Sequence, residues 1–104
     1  MDRIAALKEL LAANPTNAFA RYGLAMEYSK AGDIVSALAE YNAILQSNPD
    51  YVPAYQMAGQ TLMNAGRNSE ARKMFEDGIA MARRSGNQHA ASEMQGMLDL
   101  MPGE

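Results

Sequence analysis

The chain has 104 residues, 48% hydrophobic and 20% charged, which suits one compact domain and is too apolar for a disordered tail. A net charge of −3 argues against nucleic acid as a main partner, because phosphate binding needs a positive surface. With no cysteine there is no disulfide framework, no thiolate nucleophile and no Cys-based zinc site.

The first residues carry Asp2, Arg3, Lys8 and Glu9, and no apolar run long enough for a signal peptide or a membrane span. No membrane association is expected, and the cytoplasm is the expected compartment. Apolar residues then recur at helical spacing along the chain, with breaks at Asn-Pro and Ala-Gly. The spacing predicts helices at about 2–13, 17–31, 34–47, 51–65, 68–85 and 88–101. The first has its stripe on Ile4, Leu7, Leu10 and Leu11. Asp33 and Asp50 are placed to cap the third and fourth helices, and Pro53 falls in a first turn, where its missing N–H costs little. The fourth helix has Tyr55, Ala58, Gly59 and Leu62 on one face. The fifth has Ala71, Met74, Phe75, Ile79 and Met81, and the last Met94, Met97, Leu98 and Met101.

Sliding the chain against itself by about 34 residues exposes a repeat. Asn14-Pro15 falls on Asn48-Pro49, Ala31-Gly32 on Ala65-Gly66, and Leu11 on Leu45, which itself falls on Ile79. Ala25 meets Gly59, Ala37 meets Ala71, and Tyr41 meets Phe75. The small residues let helices approach, and Tyr28, Tyr41 and Phe75 fill the space beside them.

These residues resemble the tetratricopeptide repeat (TPR) family. Its pattern is a large aromatic, Leu-Gly and Tyr in a first helix, then Ala and Phe or Tyr in a second, then Pro. One unit reads Arg21, Leu24-Ala25, Tyr28, Gly32, Ala37, Tyr41, Leu45 and Pro49. The next reads Tyr55, Ala58-Gly59, Leu62, Gly66, Ala71, Phe75 and Ile79. The length also resembles the small stand-alone bacterial members. The resemblance implies an all-α, right-handed superhelix of antiparallel helix pairs, about six helices in one domain. Residues 1–17 would be a lone capping helix, 18–51 and 52–86 two full repeats, and 87–104 a C-terminal capping helix.

Two departures shape the expectation. Arg21 stands in the large-aromatic slot, so that position should be half exposed, its stem packed and its head in water. Arg83 stands where Pro49 stood one period earlier, so the fifth helix should run on to Ser85-Gly86 and offset the last helix by about one turn. Opposite the last helix's stripe lie Gln88, Ser92, Gln95 and Asp99, and the first helix backs its stripe with Asp2, Glu9 and alanines. Polar ends of this kind favour a monomer, with a homodimer as the alternative.

In the family, the first helices of successive units line a concave groove for a partner protein. The resemblance places Tyr22, Met26, Ser29 and Lys30 there from one unit, and Gln56, Met57, Gln60, Met63 and Asn64 from the next. For Met26, Met57 and Met63, groove and core packing stay open as alternatives. Some members grip a carboxylate terminus with a cluster of Lys, Asn and Arg. Tyr22, Met26 and Met57 occupy those places here, with Ser92 and Gly96 on the last helix, so the clamp is absent. Such a groove suits an apolar or amphipathic segment of another protein. The alternative is a structural unit that homo-oligomerises through the same groove.

No enzymatic activity and no cofactor are expected. His89 and Glu93 form an i, i+4 pair that could hold one side of a metal, with Asp99 or Glu104 as the nearest further ligands. An exposed helix residue is the favoured account of His89, and a metal or enzymatic protein built on it is the distant alternative. The eight glycines are dispersed rather than gathered into a phosphate loop, and no nucleophile elbow is present. Arg67, Arg72, Lys73, Arg83 and Arg84 form a basic run, but Glu70, Glu76 and Asp77 lie among them, which predicts a self-paired, solvated face.

Overall fold

The computed structural model describes residues 2–101 and contains six helices: α1 (Arg3–Ala13), α2 (Ala18–Lys30), α3 (Ile34–Ser47), α4 (Val52–Asn64), α5 (Asn68–Arg84) and α6 (Gln88–Leu100). No strand occurs among the described residues. All six expected helices are present, each end within about one residue of the sequence reading, inside the usual scatter of helix boundaries.

The breaks follow from local chemistry. α2, α4 and α5 are each followed by a glycine in the left-handed region: Gly32 at φ 83°, Gly66 at 78° and Gly86 at 77°. The next N–H then reaches back to a helix carbonyl, Asp33 to Tyr28 at 2.9 Å, Arg67 to Leu62 at 2.9 Å and Asn87 to Ala82 at 2.7 Å. This is the Schellman closure, which a residue with a Cβ adopts only under strain. α1 and α3 end instead at Asn14 and Asn48, each before a proline. With Arg83 in place of that proline, α5 reaches 17 residues against 14 for α3.

Side-chain caps start four helices. Asp2, Asn17, Asp33 and Asn87 accept hydrogen bonds from the N–H groups of Ile4, Ala20, Ser36 and Ala90. Asp50 does not cap α4. The cap position is Tyr51, with no side-chain bond, because Pro53 in the first turn lacks the N–H that a capping carboxylate would receive.

Helix contacts divide the chain between Pro49 and Asp50. In the first unit α1 packs on α2 and α2 on α3. Leu7, Ala20 and Leu24 are buried together, with Ile4, Leu11 and Tyr28 partly buried against them. Ala37, Tyr41 and Ile44 are the buried residues of α3, while Leu45 is only half-buried. Leu10, expected in the α1 stripe, is 52% exposed. Within this unit α1 has α2 as its one helical neighbour, so only a narrow stripe of it is covered.

In the second unit α5 packs against both α4 and α6. Gly59 permits the closest approach: a Cβ there would lie 2.6 Å from the ring of the fully buried Phe75. Gly78, about 60° around α5 from Phe75, would meet Met94 sulfur on α6 and Tyr55 Cβ on α4 at the same distance. Met94 is completely buried, whereas Met74, Met81 and Met97 of the expected stripes are half-buried. Leu24, Tyr41, Leu62 and Phe75 are all nearly inaccessible, as expected of residues where helix pairs meet.

Candidate functional site

On α2, Tyr22, Met26 and Ser29 are half-buried and Lys30 is exposed. Helical geometry puts all four within about 100° of one another. The Tyr22 ring meets buried Tyr41 edge-on, centroids 6.1 Å apart, so one side of this tyrosine belongs to the core. Lys30 lies 3.5 Å from Glu27, which also pairs with Arg3 on α1 at 3.1 Å. The α2 face is thus apolar along Tyr22 and Met26 and charged at its C-terminal end.

On α4, Gln56, Met57, Gln60 and Met63 are half-buried and Asn64 is exposed. The fully buried residues of that helix, Val52, Ala54, Ala58, Gly59, Thr61 and Leu62, occupy the remaining arc. Met63 lies about 20° and Met57 about 100° from Gln56 around the axis, with Gln60 between them. All nine residues singled out from the sequence therefore lie on non-core arcs, four on α2 and five on α4. None of the three methionines left open is fully buried.

One contributor was missed in the sequence. Gln56 Nε2 donates to Glu93 Oε1 at 3.4 Å, joining the open arc of α4 to α6 within the second unit. Leu100, seven residues after Glu93 and so on the same side of α6, is 83% exposed. The signal was present as an apolar residue outside the Met94–Met101 stripe, but nothing in the sequence indicates which α4 residue meets α6.

His89 Nε2 is 3.6 Å from Glu93 Oε1, and its side chain is almost fully exposed. Among the described residues no group of three or more His, Asp or Glu side chains could hold a metal ion, and Glu104 lies outside them. Two members of the basic run pair with acids as expected: Arg67, just before α5, bonds Glu70 through two nitrogens at 2.6 Å, and Lys73 on α5 bonds Asp77 at 3.0 Å. These bonds raise the pKa values of Arg67 and Lys73 and lower that of Glu70. Arg21 does not simply reach into water. It pairs with Glu40 at 2.7 Å and donates to the Pro15 carbonyl at 3.0 Å. Among the described residues no helix is long and apolar enough to cross a membrane.

Comparison with known proteins gives a consistent picture. The tetratricopeptide repeat family profile matches residues 4–58 and 28–94. A TPR repeat-containing protein of Pseudomonas aeruginosa is 32% identical over 91 residues, spanning 88% of this chain and 87% of that protein. Among solved structures, a tetratricopeptide repeat domain protein from Salinibacter ruber is 32% identical with a TM-score of 0.78, covering 88% of this chain and 96% of that one. Protein BPP2914 from Bordetella parapertussis is 29% identical with a TM-score of 0.83, covering 95% and 86%.

Proposed function

Since the chain belongs to the tetratricopeptide repeat family, whose fold serves protein–protein interaction, we propose that it binds an apolar or amphipathic segment of a partner protein on the open face of α4. The observation that carries this reading is the open arc of α4. Gln56, Met57, Gln60 and Met63 bear no charge and are neither packed into the core nor fully solvated. A flexible thioether left half-exposed is suited to adapt to an incoming apolar side chain. On α2, Tyr22 and Met26 offer the same chemistry, with Ser29 and Lys30 as polar neighbours.

The experiment compares Met57→Glu with Leu24→Ala. A carboxylate at position 57 should destroy partner binding through its desolvation cost while leaving the melting temperature near that of the unaltered protein. Leu24→Ala should lower the melting temperature instead. If Met57→Glu unfolds like the core variant, Met57 is structural. If it melts normally and keeps every captured partner, the site lies elsewhere. Light scattering distinguishes a homo-oligomer, which would occupy the same strip with a second copy of the chain.

A further inference from the structure

We propose that the α4–α6 face of the second unit selects a cationic amphipathic segment, seating a lysine or arginine against Glu93 and a large apolar side chain on Met63 and Leu100. The inference rests on the binding role proposed for α4 and specifies the chemistry of what binds.

Charge is distributed unevenly in this unit. α4 has no charged residue at all. α6 has two, Glu93 and Asp99, both acidic. Asp99 is about 120° from Glu93 around the helix, on the side where it accepts from Gln95 at 3.1 Å. The basic residues after Pro49 are Arg67, Arg72, Lys73, Arg83 and Arg84, all on α5 or at the turn before it. Glu93 is thus the one acidic group on a face to which neither helix contributes a lysine or arginine. Its protein neighbours there are Gln56 at 3.4 Å, a long hydrogen bond, and His89 at 3.6 Å. About half of its side-chain surface is open, and a carboxylate has lone pairs for several donors.

Spacing supplies the second element. Successive helices of the tetratricopeptide fold run antiparallel, so α4 and α6, each packed on α5, run in the same direction. Gln56 and Glu93 touch. Met63 follows Gln56 by seven residues and Leu100 follows Glu93 by seven, so the two apolar groups stand level, about 10 Å along the helices from the acid. A helical segment matches this with a basic residue seven positions from a large apolar one. An acidic segment would place like charge against Glu93 and meet no cation in return.

The test is selection of a random peptide display library on the full chain, followed by affinity measurement on recovered peptides. Lysine and arginine should be enriched over aspartate and glutamate, with a basic residue two helical turns from a large apolar one. Glu93→Lys should weaken a recovered peptide about fivefold or more, Glu93→Gln less, and added salt should narrow the difference. Leu100→Glu, at a largely solvated position, should abolish binding without altering the melt. Acidic or neutral peptides that are lost with Leu100→Glu but indifferent to Glu93→Lys would overturn the charge preference and leave the face as a binding site. Peptides indifferent to Met63→Glu, Leu100→Glu and Glu93→Lys alike, or a selection that recovers nothing, would overturn both.

Discussion

In the α2–α3 hairpin the large-aromatic slot of the repeat holds Arg21, and Ile44 lines the same small cavity from α3. One period later, in the α4–α5 hairpin, the same two places hold Tyr55 and Gly78. Arg21 lays a slender stem beside a branched aliphatic side chain and sends its head to Glu40 and the Pro15 carbonyl. Tyr55 brings a ring, and α5 answers with no side chain at all. Ala25 and Gly59 make a smaller contrast, both fully enclosed, one with a methyl and one without. At the first pair a ring on one helix goes with no side chain on the next, and a slender stem with a branched one, because a close-packed interior leaves little room for independent choices.

The largest expected effects come where the two hairpins agree. Leu24→Ala and Leu62→Ala should each cost about 2–5 kcal/mol, read as a lowered urea midpoint. An unchanged midpoint for either would mean that the packing register of that hairpin is wrong. Next come the positions where the hairpins differ. Gly59→Ala improves helix propensity by about 1 kcal/mol, yet should destabilise by about 1–3 kcal/mol, since the buried Phe75 ring has nowhere to retreat. Gly78→Ala should behave likewise against Met94 and Tyr55. A rise in melting temperature for either glycine variant would show that the second hairpin has slack.

Smaller effects sharpen the comparison further. Arg21→Gln strands Glu40 in a half-buried site and should cost about 1–2 kcal/mol. Arg21→Tyr should not rescue it, because Ile44 holds the space. Ile44→Gly should cost less in the Arg21→Tyr background than in the unaltered protein, with a coupling of about 0.5–3 kcal/mol in a double-mutant cycle. Additive losses would mean that the two residues are not a packed pair. The smallest effect concerns Tyr55, whose phenol pKa is raised by burial and then by Asp77 and Asp50. A raised folded-state value favours the neutral phenol in the native protein. That contribution is therefore fully present below about pH 10 and is lost as pH rises through the folded value. Tyr55→Phe should flatten the alkaline decline of the melting temperature, and Arg21 provides no counterpart in the first hairpin.

Helix number, order and ends were legible because each depends on near neighbours in sequence. The left-handed glycines, the Asn-Pro breaks and the long α5 all follow from residues within a turn of the boundary. The cap at α4 was misread because Asp50 has the right chemistry, and only the position of Pro53 within the turn removes its target N–H. Of the candidate site, the face of each helix was legible from the 3.6-residue period. The meeting of α4 with α6 was not, since packing of both helices beside α5 is what brings Glu93 to Gln56.

By itself the sequence determined six helices, their pairing by a 34-residue recurrence, the family, and the four core anchors Leu24, Tyr41, Leu62 and Phe75. These rest on periodicity and on backbone preferences, which are local. Tertiary structure alone decided that Leu10 stays outside, that Gly78 is a packing surface, and that Gln56 meets Glu93. Each of those depends on which neighbour arrives at a given angle and distance, and no stretch of chain encodes that about its own side chains.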